Sequence, residues 1–195
     1  MPREDETIIR SFQAGDRAAF DRLVTRHRDF VFNLSYRLLG DYEDANDAAQ
    51  EAFIKAYRSL KKFRFESTFS TWLYRITVNT CKNRLNSKAH RQKRRTVALD
   101  NPAAEGGSAA YQVKNGSPGP AARLERKERA AMVQKAIDAL DADRKTVVTL
   151  RDIQGLTYEE IAAITGFALG TVKSKIARAR AELRERLRSV IGNGM

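Results

Sequence analysis

The 195-residue sequence has a single cysteine, Cys81, and two histidines, His27 and His90. No internal disulfide can form, and one Cys with two His cannot build a zinc cluster; no metal and no cofactor enter the expectation for this chain. No run of about 18 apolar residues occurs, which excludes a membrane-spanning helix. The opening Met1-Pro2-Arg3-Glu4-Asp5-Glu6 is acidic and polar, the wrong composition for a secretory signal, so a cytoplasmic location is expected. Alternating apolar and polar runs of strand length are also missing. What is plentiful is positive charge: 36 Lys and Arg stand against 24 Asp and Glu, a formal charge of +12. Such a balance points to a polyanionic partner, with nucleic acid ahead of an anionic membrane surface.

The charge is uneven along the chain. Residues 1–96 hold 20 Lys and Arg against 12 acids, and residues 123–195 hold 15 against 10. Between them, residues 97–122 carry one Lys (Lys114) and two acids (Asp100, Glu105), with Pro102, Gly106, Gly107, Gly116, Pro118, Gly119 and Pro120. That middle segment has too few large aliphatic residues to offset its ordering entropy, so it reads as a flexible linker; the alternative is a long surface loop in one domain. The flanking halves read as two small helical domains, all-α, independent of one another in the free protein. Phe20, Leu23, Val24, His27, Val31, Leu34 and Leu38 recur at helical spacing, and Gly40-Asp41 ends that helix and caps the next. Ala45 to Leu60 repeats the pattern, as do Phe69, Trp72, Leu73, Ile76 and Thr80, with Ser67-Thr68 or Ser70 as the cap. In the C-terminal half, Val133, Ile137 and Leu140 form one stripe, and Val147, Val148 and Leu150, then Ile161 and Ile164, then Val172, Ile176, Ala179, Leu183 and Leu187 follow.

Leu156 to Ile176 has the parts of a helix-turn-helix. Thr157 with Glu160 forms a capping box, Ala162 is small enough for close helix approach, and Gly166 suits a tight turn. The second helix carries Lys173, Lys175, Arg178, Arg180 and Arg184 outside its apolar stripe, as a helix lying in a major groove requires. An ordinary helical hairpin with a solvated basic face is the competing reading.

The N-terminal half has two contrasting stretches. Asp41, Glu43, Asp44, Asp47 and Glu51 cluster with no Lys or Arg between Arg37 and Lys55. Helix-dipole complementarity accounts for the first of these acids and poorly for Asp47 and Glu51. A docking face for a basic protein is the functional reading; paired catalytic carboxylates are a third, with no nucleophile or His nearby in sequence. From Ser67 to Leu99 there is no acid, while Arg75, Lys82, Arg84, Lys88, Arg91, Lys93, Arg94 and Arg95 are basic. Aromatic residues lie just upstream, a mixture that suits unstacked single-stranded bases. Phe69 and Trp72 fall on the apolar stripe and read as core; Phe63 and Phe65 read as either core or base contacts.

Taken together, Gly40-Asp41, Asp44, Asp47, Gln50 to Arg58, Phe63-Arg64, Phe69 to Ile76 and Asn79 resemble region two of bacterial extracytoplasmic-function (ECF) sigma factors. Tyr158 to Ala162, Gly170 to Lys175 and Arg178-Ala179-Arg180 resemble their region four, and the chain looks closest to the sigma-E-like branch. The resemblance implies a non-enzymatic promoter-specificity subunit of RNA polymerase, with region two at 1–96 and region four at 123–195. It assigns Asp44, Asp47, Gln50, Glu51 and Ile54 to docking on the clamp of the largest polymerase subunit, and region four to the flap of the second-largest. It gives Phe63, Arg64, Phe65, Ser67, Thr68, Arg75 and Asn79 to opening and reading the −10 element of promoter DNA. Thr171, Lys173, Ser174, Lys175, Arg178 and Arg180 go to the −35 element. An anti-sigma factor is an expected partner. Ala177 stands where sigma-E-like members often carry an aromatic residue. The alternative is a stand-alone helix-turn-helix regulator, which would footprint DNA without polymerase.

Overall fold

The computed structural model describes residues 2–96 and 120–191. The expected linker, apart from residues 120–122, lies outside the described residues. Eight α-helices and no strand occur among them: α1 Pro2–Gln13, α2 Ala19–Leu39, α3 Tyr42–Leu60, α4 Phe69–Thr96, α5 Pro120–Asp138, α6 Ala142–Val148, α7 Tyr158–Thr165 and α8 Leu169–Ile191. A single π-helical turn, Thr149–Ile153, continues α6.

In the N-terminal half, α2, α3 and α4 pack side by side on their apolar stripes. Leu23, Val31, Leu34, Leu60 and Leu73 are fully buried. Each such side chain contributes about 1.5–3 kcal/mol, well above the 0–1 kcal/mol of a surface ion pair, so apolar burial decides this packing. The α2–α3 corner follows from two residues. Gly40 takes φ +77° and its N–H donates to the Tyr36 carbonyl at 2.8 Å; a Cβ there would sit 3.1 Å from the Asp138 carboxylate. Asp41 then caps α3 by accepting from the Asp44 N–H at 2.9 Å. At α4 the cap is Thr68, whose hydroxyl accepts from the Thr71 N–H at 3.1 Å.

Helix α1 is not among the sequence expectations. Ile8, Ile9 and Phe12 bury its inner face. Asp5 closes its start on α2, 2.9 Å from His27 Nε2 and accepting from Arg26 at 3.2 Å. Near its end, the Gln13 amide donates to the carbonyls of Leu60 (3.2 Å) and Phe63 (3.0 Å). This helix therefore props the loop between α3 and α4.

In the C-terminal half, α5 to α8 form the second bundle. Ile137 and Leu140 are buried as expected, but Val133 is 39% exposed and the buried positions of that turn are Gln134 and Ala136. Helix α7 starts with both bonds of the capping box, Glu160 N–H to the Thr157 hydroxyl (3.2 Å) and Thr157 N–H to the Glu160 carboxylate (2.8 Å). It ends at Gly166, whose φ of +76° only glycine adopts without strain.

The expectation of independent halves is corrected. Leu73, Tyr74, Val78 and Cys81 of α4 share one apolar cluster with Ile161, Ile164, Val172 and Ile176 of α7 and α8. Across this seam the Arg37 guanidinium donates to the Gln134 side-chain oxygen at 2.8 Å. The Asp143 carboxylate, at the start of α6, accepts from Lys82 Nζ of α4 (3.0 Å) and Lys175 Nζ of α8 (3.1 Å). Both ammonium groups also lie over the Phe167 ring, 5.2 and 5.1 Å from its centre. The physical reason is that each half leaves apolar surface, on α4 and α7, that neither covers alone.

Candidate nucleic-acid interface

The C-terminal surface is built by α8. Val172, Ile176 and Ala179 are buried against α6 and α7, so their face is the inner one. At about 100° per residue, Thr171, Ser174, Ala177, Arg178 and Ala181 lie on the outer face, and Lys173, Lys175 and Arg180 lie on its two shoulders. Thr171, Lys173, Ser174 and Arg178 are exposed. Two of the six expected −35 residues are held by carboxylates of their own half. Lys175 is bound to Asp143 as described. Arg180 makes a two-pronged pair with Asp152, donating from Nε at 3.0 Å and also from Nη2. That Asp152 hydrogen bond, helped by the Tyr158 side chain, raises the guanidinium further above its ordinary value. Burial alone would raise the Asp143 carboxyl; the hydrogen bonds from Lys82 and Lys175 outweigh it and hold the group below its ordinary value.

The loop between α3 and α4 and the first turns of α4 form the second surface. Arg64, Thr68, Arg75 and Asn79 are exposed, and Ser67 is half-buried. Arg75 and Asn79 are one turn apart on the outer face of α4. Phe65 has φ +59°, the only positive φ of a non-glycine among the described residues. A bulky residue in that region is strained by about 1–3 kcal/mol, which surrounding contacts must offset. Its ring packs on Phe63 at 5.0 Å, with the Arg10 guanidinium 4.7 Å above it. Phe63 itself is 8% exposed and touches Phe65, Phe69 and Trp72. The reading of Phe63 as a base contact is therefore corrected: it is the core residue on which the loop rests.

The third surface is the acidic face of α3. Asp47, Gln50, Glu51 and Ile54 follow three- and four-residue steps and are all exposed; Ile54 is half in solvent at 50%. Asp44 is half-buried at the edge. Sequence reasoning missed what holds these acids. Arg84 of α4 donates to Asp44 at 3.3 Å and Asp47 at 2.6 Å, and Glu51 pairs with Lys55 at 2.7 Å. Among the described residues no cluster of three or more His, Cys, Asp or Glu could hold a metal. Cys81 is fully buried, and burial pushes its thiol up to about 11.

Two family models match these two bodies: Sigma-70 region 2 over residues 23–91 and Sigma-70, region 4 over residues 122–183. The RNA polymerase sigma-H factor of Pseudomonas aeruginosa is 39% identical over 189 residues, covering 96% of each chain. The ECF RNA polymerase sigma-E factor of Escherichia coli K12 is 39% identical over 188 residues, again 96% of each. The chain belongs to the ECF sigma factors. With regions two and four present together, this sigma factor is a promoter-recognising subunit. Among solved structures it is similar to CnrH in complex with the cytosolic domain of CnrY (TM-score 0.66, 25% identity, 95% of this chain and 97% of that one). It is similar too to the sigma factor RpoE in complex with the anti-sigma factor NepR from Bartonella quintana (TM-score 0.65, 25% identity, 87% and 96%). No helix among the described residues of the sigma factor is long and apolar enough to cross a membrane.

Proposed function

We propose that the three surfaces divide promoter recognition as follows. The α3 face, with Asp47, Gln50, Glu51 and Ile54 outermost and Asp44 at its edge, docks on core RNA polymerase. Negative charge around one exposed aliphatic side chain suits a basic partner surface with an apolar pocket. Arg64, Phe65, Ser67, Thr68, Arg75 and Asn79 take the opened −10 strand, with cations on the backbone and Phe65 shaping the loop that meets the bases. Helix α8 enters the major groove at −35 through Thr171, Ser174 and Arg178, with Lys173 on neighbouring phosphates. An anti-sigma factor is a further partner, in keeping with the complexes of the structural relatives. The work takes place in the cytoplasm, and the polymerase performs the chemistry.

The observation that carries this reading is the pairing of an exposed basic recognition helix with a separate acidic, partly apolar face in one chain. It has a mechanical consequence. The −35 and −10 elements lie about 25 base pairs apart, roughly 85 Å along B-form DNA at 3.4 Å per step. In the packed arrangement, Lys82, one turn from Asn79, shares the Asp143 carboxylate with Lys175 of the recognition helix. The two DNA surfaces are then too close to span both elements, so the seam parts when polymerase and promoter are engaged. Footprinting tests the reading. The chain with core polymerase should protect both elements of a cognate promoter, and the chain alone should protect neither. Full protection by the chain alone would favour the stand-alone regulator.

A further inference from the structure

Two arginines of α8, Arg178 and Arg180, are two residues apart and would be equivalent if charge alone mattered. The structure separates them. Arg178 lies on the outer face, exposed, with no ion pair among the described residues. Arg180 is about 200° further round, on the shoulder towards the π-helical turn. There Asp152 accepts from Nε and Nη2, one whole edge of a guanidinium that is itself 46% exposed. Two parallel N–H···O bonds fix a guanidinium in orientation as well as position. Tyr158 backs the same shoulder, with the Arg151 guanidinium 4.7 Å and the Lys173 ammonium 6.0 Å from its ring centre. The carboxylate of Asp152 has no other ion-pair partner among the described residues.

We propose that Asp152 is a positioning residue that withholds Arg180 from DNA, so that Arg178 is the arginine with which α8 reads a base. The proposal rests on the reading of α8 as the −35 helix. A free arginine on the shoulder would meet the phosphate backbone, which attracts every sequence alike. Asp152 removes that indiscriminate contact and directs the helix through its outer face. Arg178, flanked by the small side chains of Ala177 and Ala181, can approach a base edge and bond it with both prongs.

The test uses the full chain with core polymerase, on a cognate promoter and on versions substituted at each −35 base pair, over a salt series. Arg178→Ala should cut the preference for one base pair by about five-fold or more. Arg180→Ala should leave every −35 preference within two-fold. Asp152→Ala should strengthen binding to all promoters alike and steepen the log–log salt dependence by about 0.9, or about 3.5-fold in affinity between 50 and 200 mM salt. Asp152→Glu should keep the wild-type slope. Combining Asp152→Ala with Arg180→Ala should restore that slope, a result that general damage to the fold would not give. Loss of base preference in Arg180→Ala, an unchanged slope in Asp152→Ala, or a steep slope that survives in the double variant would each overturn the proposal. If Arg178→Ala changes no −35 preference, the −35 reading of α8 falls and the proposal with it; if only the Asp152 and Arg180 results fail, the −35 reading stands and the proposal alone is lost.

Discussion

Replacing Asp143 by Asn in the free chain removes the carboxylate that Lys82 and Lys175 share across the seam, with little change of shape. The two pairs span 3.0 and 3.1 Å, and all three side chains are about a third exposed. Solvent screening at that exposure holds each pair within 0–1 kcal/mol. Only the Lys82 pair crosses the seam, since Lys175 and Asp143 share a half. Losing it, with the two ammonium groups then facing each other across the seam without a counter-charge, costs roughly 1 kcal/mol. The ratio of packed to parted molecules should fall about five-fold. Energy transfer between dyes on cysteines introduced at Arg58 and Arg184, exposed positions on opposite halves, reads that ratio. Cys81, fully buried with its thiol pushed up to about 11, should stay unlabelled. Transfer should drop in Asp143→Asn and recover in part in Asp143→Glu. Equal transfer in wild type and Asp143→Asn would refute this account of the seam.

The same carboxylate sets a pH dependence. Its folded value lies below the ordinary 3.8, so its contribution is complete above 3.8 and is lost as pH falls through the lowered value. Energy transfer in the wild type should be flat above about pH 4 and fall below it, a fall that Asp143→Asn should lack. Replacing Asp47 and Glu51 by Lys should abolish co-purification with core polymerase while leaving helical circular dichroism unchanged. Thr157→Ala removes one bond of the α7 capping box and should cost about 1 kcal/mol, seen as a lower urea midpoint at constant slope.

The helices were legible wherever a stripe and a cap coincided. Leu23 to Leu38 with Gly40-Asp41, and Thr157-Glu160 with Gly166, state period, start and stop in one short stretch each. Helix α1 is faint in the sequence because its apolar stripe is only Ile8, Ile9 and Phe12 behind an acidic first turn, too short to state a period by itself. Phe63 was ambiguous for a different reason. It sits in a polar stretch, and only the fold brings Phe69 and Trp72 under it. Pairings across long sequence separations left no local trace. Arg84 on Asp44 and Asp47, and Asp152 on Arg180, turn what reads as one acidic cluster and one basic run into partnered groups. The seam was hidden likewise: an apolar residue on α4 looks the same whether its cover comes from its own half or from α7.

The most direct measurement of the central claim is run-off transcription by core RNA polymerase on genomic promoter fragments, with and without this chain. The account predicts discrete transcripts that require the chain, with start sites at a fixed distance from shared −10 and −35 sequences. Transcription that is the same with and without the chain, or that the chain changes only by binding DNA in the absence of polymerase, would contradict it.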